Sequence, residues 1–224
     1  MKVLMIVTSH SKLGSTDKAT GFWLEELAVP YQTFTRAGVE VDIASPQGGK
    51  PPADPASVKA DNADVKAFIA DARAVNKLDH TLRLADVRAD YDAVFVAGGH
   101  GVMWDLVDNP TLSALLSRTY ADGKVVAAVC HGPAALVGAK KADGKPLVAG
   151  HRVAGFSNEE EQAAGLSEVV PFLLESKLSS LGGRYERGPT WKAFAVRDGQ
   201  LVTGQNPASS QRVAEETLVA IRER

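Results

Sequence analysis

The chain has 224 residues, 45% of them hydrophobic, with 25 Lys and Arg against 27 Asp and Glu for a formal charge of −2. That is enough apolar chain for one full-cored domain spanning 1–224, and the near-balanced charge, with no basic cluster, speaks against a nucleic-acid partner. The single cysteine excludes intrachain disulfides and a cysteine-rich zinc site, and no apolar run reaches the length of a membrane span.

Residues 2–8 read as a buried strand; one positive charge ahead of so short an apolar run does not make a signal peptide, so a cytoplasmic protein is expected. Residues 9–20 form a polar loop. A first helix is predicted over 21–36, with Pro30 expected to kink or split it. Residues 38–45 alternate and then turn apolar, a second strand. Four prolines and two glycines make 46–61 a long loop of the kind that shapes pockets. A helix over 62–75 and a polar connector over 79–87 lead to a third strand at 91–97, ended by Gly98-Gly99-His100-Gly101.

A helix over 110–122 stops at Gly123, and Val125 to Val129 form a buried valine-rich strand followed by a short helix-forming run at 134–139. A short strand is expected at 151–155. Ser157 and Glu160 have the spacing of a capping box, so a helix starts there. An amphipathic helix over 169–181 ends at Gly182-Gly183. Strands at 193–197 and 200–203 flank the turn Asp198-Gly199, a hairpin signal, and 207–224 is a final helix. Alternating strands and helices over the first 140 residues predict an α/β fold, a mostly parallel sheet with helices on both faces.

Cys130 sits where the 125–129 strand gives way to a turn, with Ala128 and Gly132 two places away on either side. A sharp strand-to-helix turn that exposes a nucleophile needs such small neighbours. A helix start there favours thiolate over thiol through its free N–H groups and dipole. A lone cysteine is otherwise a small buried hydrophobe; the turn and the adjacent His131 favour the nucleophile. Ligands of open α/β sheets bind beyond the C-terminal strand ends, where Cys130, the 98–101 glycine turn, Glu25 or Glu26, and Ser9 with His10 are expected to converge. The backbone N–H groups of His131 and Gly99 suit a developing oxyanion. A buried carboxyl beside the thiol passes a proton, and His131 serves as base if a carboxylate orients it. His100 either touches substrate or only shapes the turn. The glycine turn lacks the third glycine of a dinucleotide fingerprint, so no cofactor is expected, and no metal. His10, His80 and His151 carry no motif.

The pieces Gly21-Phe22-Trp23-Leu24-Glu25-Glu26-Leu27-Ala28-Val29-Pro30, the strand and turn from Tyr91 to Gly101, Ala128-Val129-Cys130-His131-Gly132-Pro133 and Thr203-Gly204-Gln205-Asn206-Pro207-Ala208-Ser209-Ser210 together resemble the DJ-1/PfpI superfamily, and within it the Hsp31-like, class I glutamine amidotransferase-like proteins. The resemblance implies a flavodoxin-like, doubly wound fold and a homodimer. It places an acidic residue four positions before the proline, which is Glu26, in hydrogen-bond contact with Cys130. No histidine follows His151, so the late His-x-Glu of a glutaminase is absent. Hsp31-type relatives orient the elbow histidine with a later acidic residue; Glu159, Glu160 and Glu161 are the candidates, and Glu160 is the one expected.

The implied activity is that of a cofactor-free, glutathione-independent glyoxalase acting on methylglyoxal or a related small 2-oxoaldehyde through a hemithioacetal on Cys130. The alternatives are a cysteine hydrolase, a stress-response holdase or protein deglycase, and a redox sensor working through Cys130.

Overall fold

The computed structural model describes every residue except Ala60 and Ala89, so the 46–61 loop and its neighbourhood are described apart from Ala60. β1 (Lys2–Ile6), β4 (Ala93–Val96) and β5 (Val125–Val129) are almost wholly apolar and buried. Unbroken burial of this kind belongs to strands covered on both faces, which is why they lack polar alternation. With β2 (Glu40–Ser45), β3 (Leu82–Arg83), β8 (Ala195–Asp198) and β9 (Leu201–Gly204) they form a seven-stranded sheet in the order β3-β2-β1-β4-β5-β9-β8. Every pairing is parallel except β8 with β9, the hairpin whose turn holds Gly199 at φ 62°.

The chain runs outward from β1 to β2 through α1 (Leu24–Arg36), then returns and runs the other way from β4 to β5 through α5 (Pro110–Ala121). Right-handed crossovers in opposite directions put these helices on opposite faces. α1 packs beside α8 (Ser210–Arg222), and α5 packs on β4 and β5. This is the flavodoxin-like doubly wound α/β fold. The reversal leaves a crevice at the C-terminal ends of β1 and β4, with β5 next to it. Four shorter helices, α2 (Ala63–Ala70), α3 (Ala72–Asp79), α4 (Val102–Asp105) and α6 (Asn158–Ala163), and then α7 (Leu174–Ser180), fill the connections. β6 (Arg152–Val153) and β7 (Arg184–Tyr185) pair as a separate ribbon.

Several boundaries depart from the sequence reading. Pro30 does not split α1 in two: one helix runs through it, with Leu27, Ala28, Val29, Tyr31 and Phe34 buried around it. The missing N–H removes one hydrogen bond, and packing of this apolar face outweighs it. The helix expected over 62–75 is two helices. Asp71 leaves the helical region and caps α3 through its side chain, which accepts from Arg73 N–H at 2.8 Å. The 134–139 run is a 3₁₀ turn, Gly132–Leu136, and not an α-helix. The 169–181 helix begins only at Leu174, because Pro171 disfavours helix at the residue before it.

Candidate active site

The site begins with the backbone at Cys130. Its N–H donates to Gly204 O at 2.9 Å and its carbonyl accepts from Phe156 N–H at 2.8 Å. These ties hold Cys130 at φ +60°, a left-handed conformation that costs an L-residue roughly 1–2 kcal/mol. Gly132 completes the elbow: a Cβ there would stand 2.4 Å from Val96 O. Cys130 as a whole is 4% exposed.

The neighbouring turn brings in the first carboxyl. Gly99 has φ +99°, and a Cβ on it would meet Gly21 O at 2.4 Å and Trp23 N at 2.5 Å, so only glycine lets the two backbones approach. Trp23 N–H donates to Gly98 O at 3.0 Å, which docks the start of α1 on the turn. Glu26, in the first turn of α1, is fully buried and its Oε2 accepts from Gly98 N–H at 2.7 Å. Its Oε1 has no hydrogen bond of ordinary geometry, yet the carboxyl and the Cys130 thiol act on each other's protonation. Burial pushes Glu26 up to about 8, with the thiol and the Gly98 N–H pulling the other way. Burial first, and then the charge of Glu26, push the thiol up, while the N–H groups of Gly99 and His131 pull it down. The expected thiolate at a helix start is therefore corrected: the turn is a short 3₁₀ element, and burial wins over its free N–H groups. At neutral pH the resting pair keeps a proton on each partner.

The second carboxylate is Glu161. His131 Nε2 lies 2.7 Å from Glu161 Oε2, and His100 Nε2 lies 2.8 Å from Glu161 Oε1. Burial alone would raise Glu161, but the two histidines override it and hold the carboxyl at about 2. Burial, with His100 beside it, lowers His131 to about 4 against the pull of Glu161. The pair is thus a neutral imidazole and a carboxylate. A carboxylate only accepts, so the His131 proton sits on Nε2 and the bare Nδ1 faces Cys130 Sγ at 3.5 Å.

Glu160, the expected orienting residue, does not touch His131. Its Oε2 accepts from Ser157 N–H at 3.1 Å and Ser157 Oγ at 3.0 Å, the capping box of α6. Its Oε1 accepts from Trp191 N–H at 2.9 Å and Asn206 Nδ2 at 2.8 Å. Successive helical residues point about 100° apart, so Glu161 and not Glu160 reaches the elbow. Glu159 is turned outward onto Arg187. Glu25 takes Asn62 Nδ2 at 3.0 Å. Ser9 and His10 also miss the site: Ser9 N–H binds Asp105 Oδ2 at 2.7 Å, and the His10 ring stacks on Trp104 with centroids 5.2 Å apart.

Above the thiol lies a cavity of about 240 Å³. Cys130, His131 and His100 form its reactive end; Trp23, Phe156 and Trp191 are its aromatic walls. Phe156 packs on His131 with ring centroids 4.4 Å apart. Trp23 lies in the 21–30 piece, but Phe156 and Trp191 carry no motif legible in the sequence, and Trp191 and Ala164 come from segments far along the chain. The 46–61 loop docks beside Phe22, whose N–H donates to Pro52 O at 3.0 Å, and none of its described residues lines the cavity. His100, His131 and Glu161 also bring three metal-capable donor atoms within 4.8 Å of one another. As bonded, both Nε2 atoms carry protons toward Glu161, and a cation would have to displace both.

A doubly wound sheet with a cysteine elbow, a buried carboxyl on the first helix and a histidine–glutamate pair defines a flavodoxin-like α/β protein with a thiol site at the strand ends. The chain belongs to the DJ-1/PfpI family, whose sequence profile matches residues 18–220. It is 34% identical to "Glutathione-independent glyoxalase HSP31" of Saccharomyces cerevisiae, over 99% of this chain and 98% of that protein. Its fold is similar to that of the crystallised glyoxalase III of Candida albicans, with a TM-score of 0.91 and 30% identity over 98% of this chain and 97% of the other. It is also similar to the Rapid Encystment Protein 24 KDa of Francisella tularensis, with a TM-score of 0.95 and 37% identity over 98% of both chains.

Proposed function

We propose that this chain is a glutathione-independent glyoxalase that converts a 2-oxoaldehyde and water into a 2-hydroxy acid. The observation that carries this reading is a strained cysteine whose sulfur meets a bare histidine nitrogen at 3.5 Å inside a small, largely apolar cavity. The names of the yeast relatives, similar over almost the whole chain, support it. The protein supplies the thiol that glutathione would otherwise bring.

His131 Nδ1 accepts the thiol proton as Sγ adds to the aldehyde carbon, and returns it to the new oxygen. The Gly99 and His131 N–H groups, which both favour the charged sulfur, hold the developing oxyanion. His131 then removes the hydrogen on that carbon as a proton, leaving an enediol. Reprotonation on the adjacent carbon gives a thioester of the 2-hydroxy acid. Water cleaves the thioester and frees Cys130. One carbon is oxidised and its neighbour reduced, so no external oxidant enters. Glu26, protonated up to about pH 8, is the acid beside the reacting oxygens, and Glu161 keeps His131 in the basic tautomer.

The test is hydroxy-acid formation from methylglyoxal without glutathione by wild type, Cys130→Ala and Glu26→Gln. Turnover by wild type with loss in both variants is expected; full turnover by Cys130→Ala would end the mechanism. A cavity of about 240 Å³ suits a small aldehyde better than an extended peptide, which sets the hydrolase reading behind. No helix among the described residues is long and apolar enough to cross a membrane. A cytoplasmic homodimer remains part of the proposal, on the family resemblance, and sedimentation of the purified chain tests the dimer.

A further inference from the structure

The cavity is larger than the smallest 2-oxoaldehydes require. At ~30 Å³ per liquid water, about 240 Å³ has room for roughly eight waters. Its polar groups are gathered at the Cys130 end, and the remainder is walled by Trp23, Phe156, Trp191, Ala164 and Pro207. A substrate bearing only a methyl group leaves most of those walls uncovered.

Trp191 is the unusual wall. It has φ +60°, a conformation that bulky side chains avoid, and it is 48% exposed despite its size. Strain of this kind persists only where the surroundings over-determine it, and it gathers at functional sites. Here the surroundings are a set of buried polar side chains. Glu160 Oε1 accepts from Trp191 N–H at 2.9 Å; Asn206 Nδ2 donates to Lys192 O at 2.8 Å and to the same Glu160 oxygen at 2.8 Å. Gln205 Oε1 takes Gly188 N–H at 2.8 Å, and Ser209 Oγ takes Phe194 N–H at 3.0 Å. Glu160, Gln205, Asn206 and Ser209 are all fully buried. Four buried side chains thus tether both ends and the middle of 188–194, and the element they fix presents one indole to the cavity. The indole meets Phe156 with ring centroids 5.6 Å apart, and Phe156 meets His131. An apolar ring lying against Trp191 and Phe156 on the cavity side leaves its dicarbonyl group beside Cys130 and His131.

Building on the glyoxalase reading, we propose that Trp191 is a specificity-determining wall positioned through Glu160, and that the site takes 2-oxoaldehydes whose carbonyl substituent is a bulky apolar or aromatic group in preference to methyl. An aromatic pair contributes about 0.5–1.5 kcal/mol beyond area burial, or roughly 3- to 10-fold in a rate ratio.

Two readouts test the proposal. The first is kcat/KM for phenylglyoxal relative to methylglyoxal. The second is the rate of Cys130 alkylation by N-phenyliodoacetamide relative to iodoacetamide, followed by mass spectrometry. Both are measured on wild type, Trp191→Ala, Trp191→Phe and Glu160→Gln. Wild type is expected to favour the phenyl compound in each pair. Both ratios should fall about 3- to 10-fold in Trp191→Ala and recover in Trp191→Phe. In Glu160→Gln the turnover ratio should fall through KM for the phenyl substrate more than through kcat. Ratios in Trp191→Ala unchanged from wild type overturn the wall, as does a wild-type preference for methylglyoxal. If wild type makes no hydroxy acid from either aldehyde, the glyoxalase reading fails and the alkylation ratio alone decides: a fall in Trp191→Ala upholds the wall, and no change overturns it. Trp191 is half exposed, so its variants fold whether or not Glu160→Gln does.

Discussion

Replacing Glu161 by glutamine changes one atom and tests the assignment of the relay. In wild type the Glu161 oxygens accept from two imidazoles, at 2.7 Å from His131 and 2.8 Å from His100. An amide has one oxygen and one NH2 group, so it satisfies only one of those two Nε2–H groups. With the NH2 facing His131, the imidazole proton must move to Nδ1, and Nδ1 then offers a proton to Sγ where it should accept one. The same tautomer error in a serine–histidine–aspartate site costs about 10⁴-fold in kcat with geometry preserved. Sulfur is a better nucleophile than oxygen, and the amide retains one correct partner. The expected loss in Glu161→Gln is therefore about 10²- to 10⁴-fold in kcat, or roughly 3–5 kcal/mol of transition-state stabilisation. The assay is glutathione-free hydroxy-acid formation, run beside Glu160→Gln, whose loss should fall mainly in KM. A larger kcat loss in Glu160→Gln than in Glu161→Gln would refute the relay drawn from these distances.

The protonation of Glu26 gives a stability prediction. Its folded value is raised to about 8 from an ordinary 4.5, so the stability it contributes is full below 4.5 and is lost as pH rises through 8. His131, lowered to about 4, works in the opposite sense below its ordinary value of 6.5, which leaves pH 6.5 to 8 as the window where Glu26 acts alone. Wild type should lose about 2 kcal/mol across that window, and Glu26→Gln should flatten the loss in urea titrations at several pH values; parallel curves would contradict a buried acid. Glu26→Gln also removes the charge that helps hold the thiol up. Its Cys130 should therefore alkylate faster than wild type at pH 9, where the wild-type Glu26 is ionised, while turnover falls, and slower alkylation would place the cause elsewhere. Cys130→Gly should abolish turnover and relieve the left-handed strain at φ +60°, offsetting part of the lost thiol packing, so that its unfolding free energy exceeds that of Cys130→Ala by about 1 kcal/mol. Gly99→Ala should destabilise the protein by several kcal/mol, because its Cβ would meet Gly21 O at 2.4 Å; a melting temperature equal to wild type would deny that close approach.

The sheet was legible because its buried strands are long valine-rich runs, and both β4 and β5 lie inside the stretches read as strands. The elbow was legible because small residues flank the lone cysteine. What the sequence hid was mostly local competition. Asp71 interrupts an otherwise continuous helical pattern by offering its own side chain as a cap, and Pro171 shortens α7 although the apolar spacing runs through it. The thiol's protonation was hidden because burial is a property of the assembled fold, and the local turn alone argues the other way. Ser9 and His10 follow β1 into the crevice region but are captured by Asp105 and Trp104, partners nearly a hundred residues away.

The exchange of roles between Glu160 and Glu161 has a different origin, since the sequence contained the means to resolve it. The capping-box spacing of Ser157 and Glu160 already turns the Glu160 carboxylate back to the helix start, and its free oxygen then faces Trp191 and Asn206 and not His131. Glu161 lies one residue on, rotated about 100° toward the elbow. The consequence goes beyond assigning a residue. One short helix, capped at Ser157, carries both carboxylates, one fixing the tautomer of His131 and the other holding the backbone of Trp191. A change that frays the start of α6 must then disturb the base and the cavity wall together. Ser157→Ala removes the hydroxyl that donates to Glu160 Oε2 and accepts from Glu160 N–H, a loss of about 1 kcal/mol for a helix cap. Because both carboxylates hang from that turn, kcat and the preference between phenyl and methyl substrates should shift together in this variant. In Glu161→Gln only the first should move, and in Trp191→Ala the preference should move furthest.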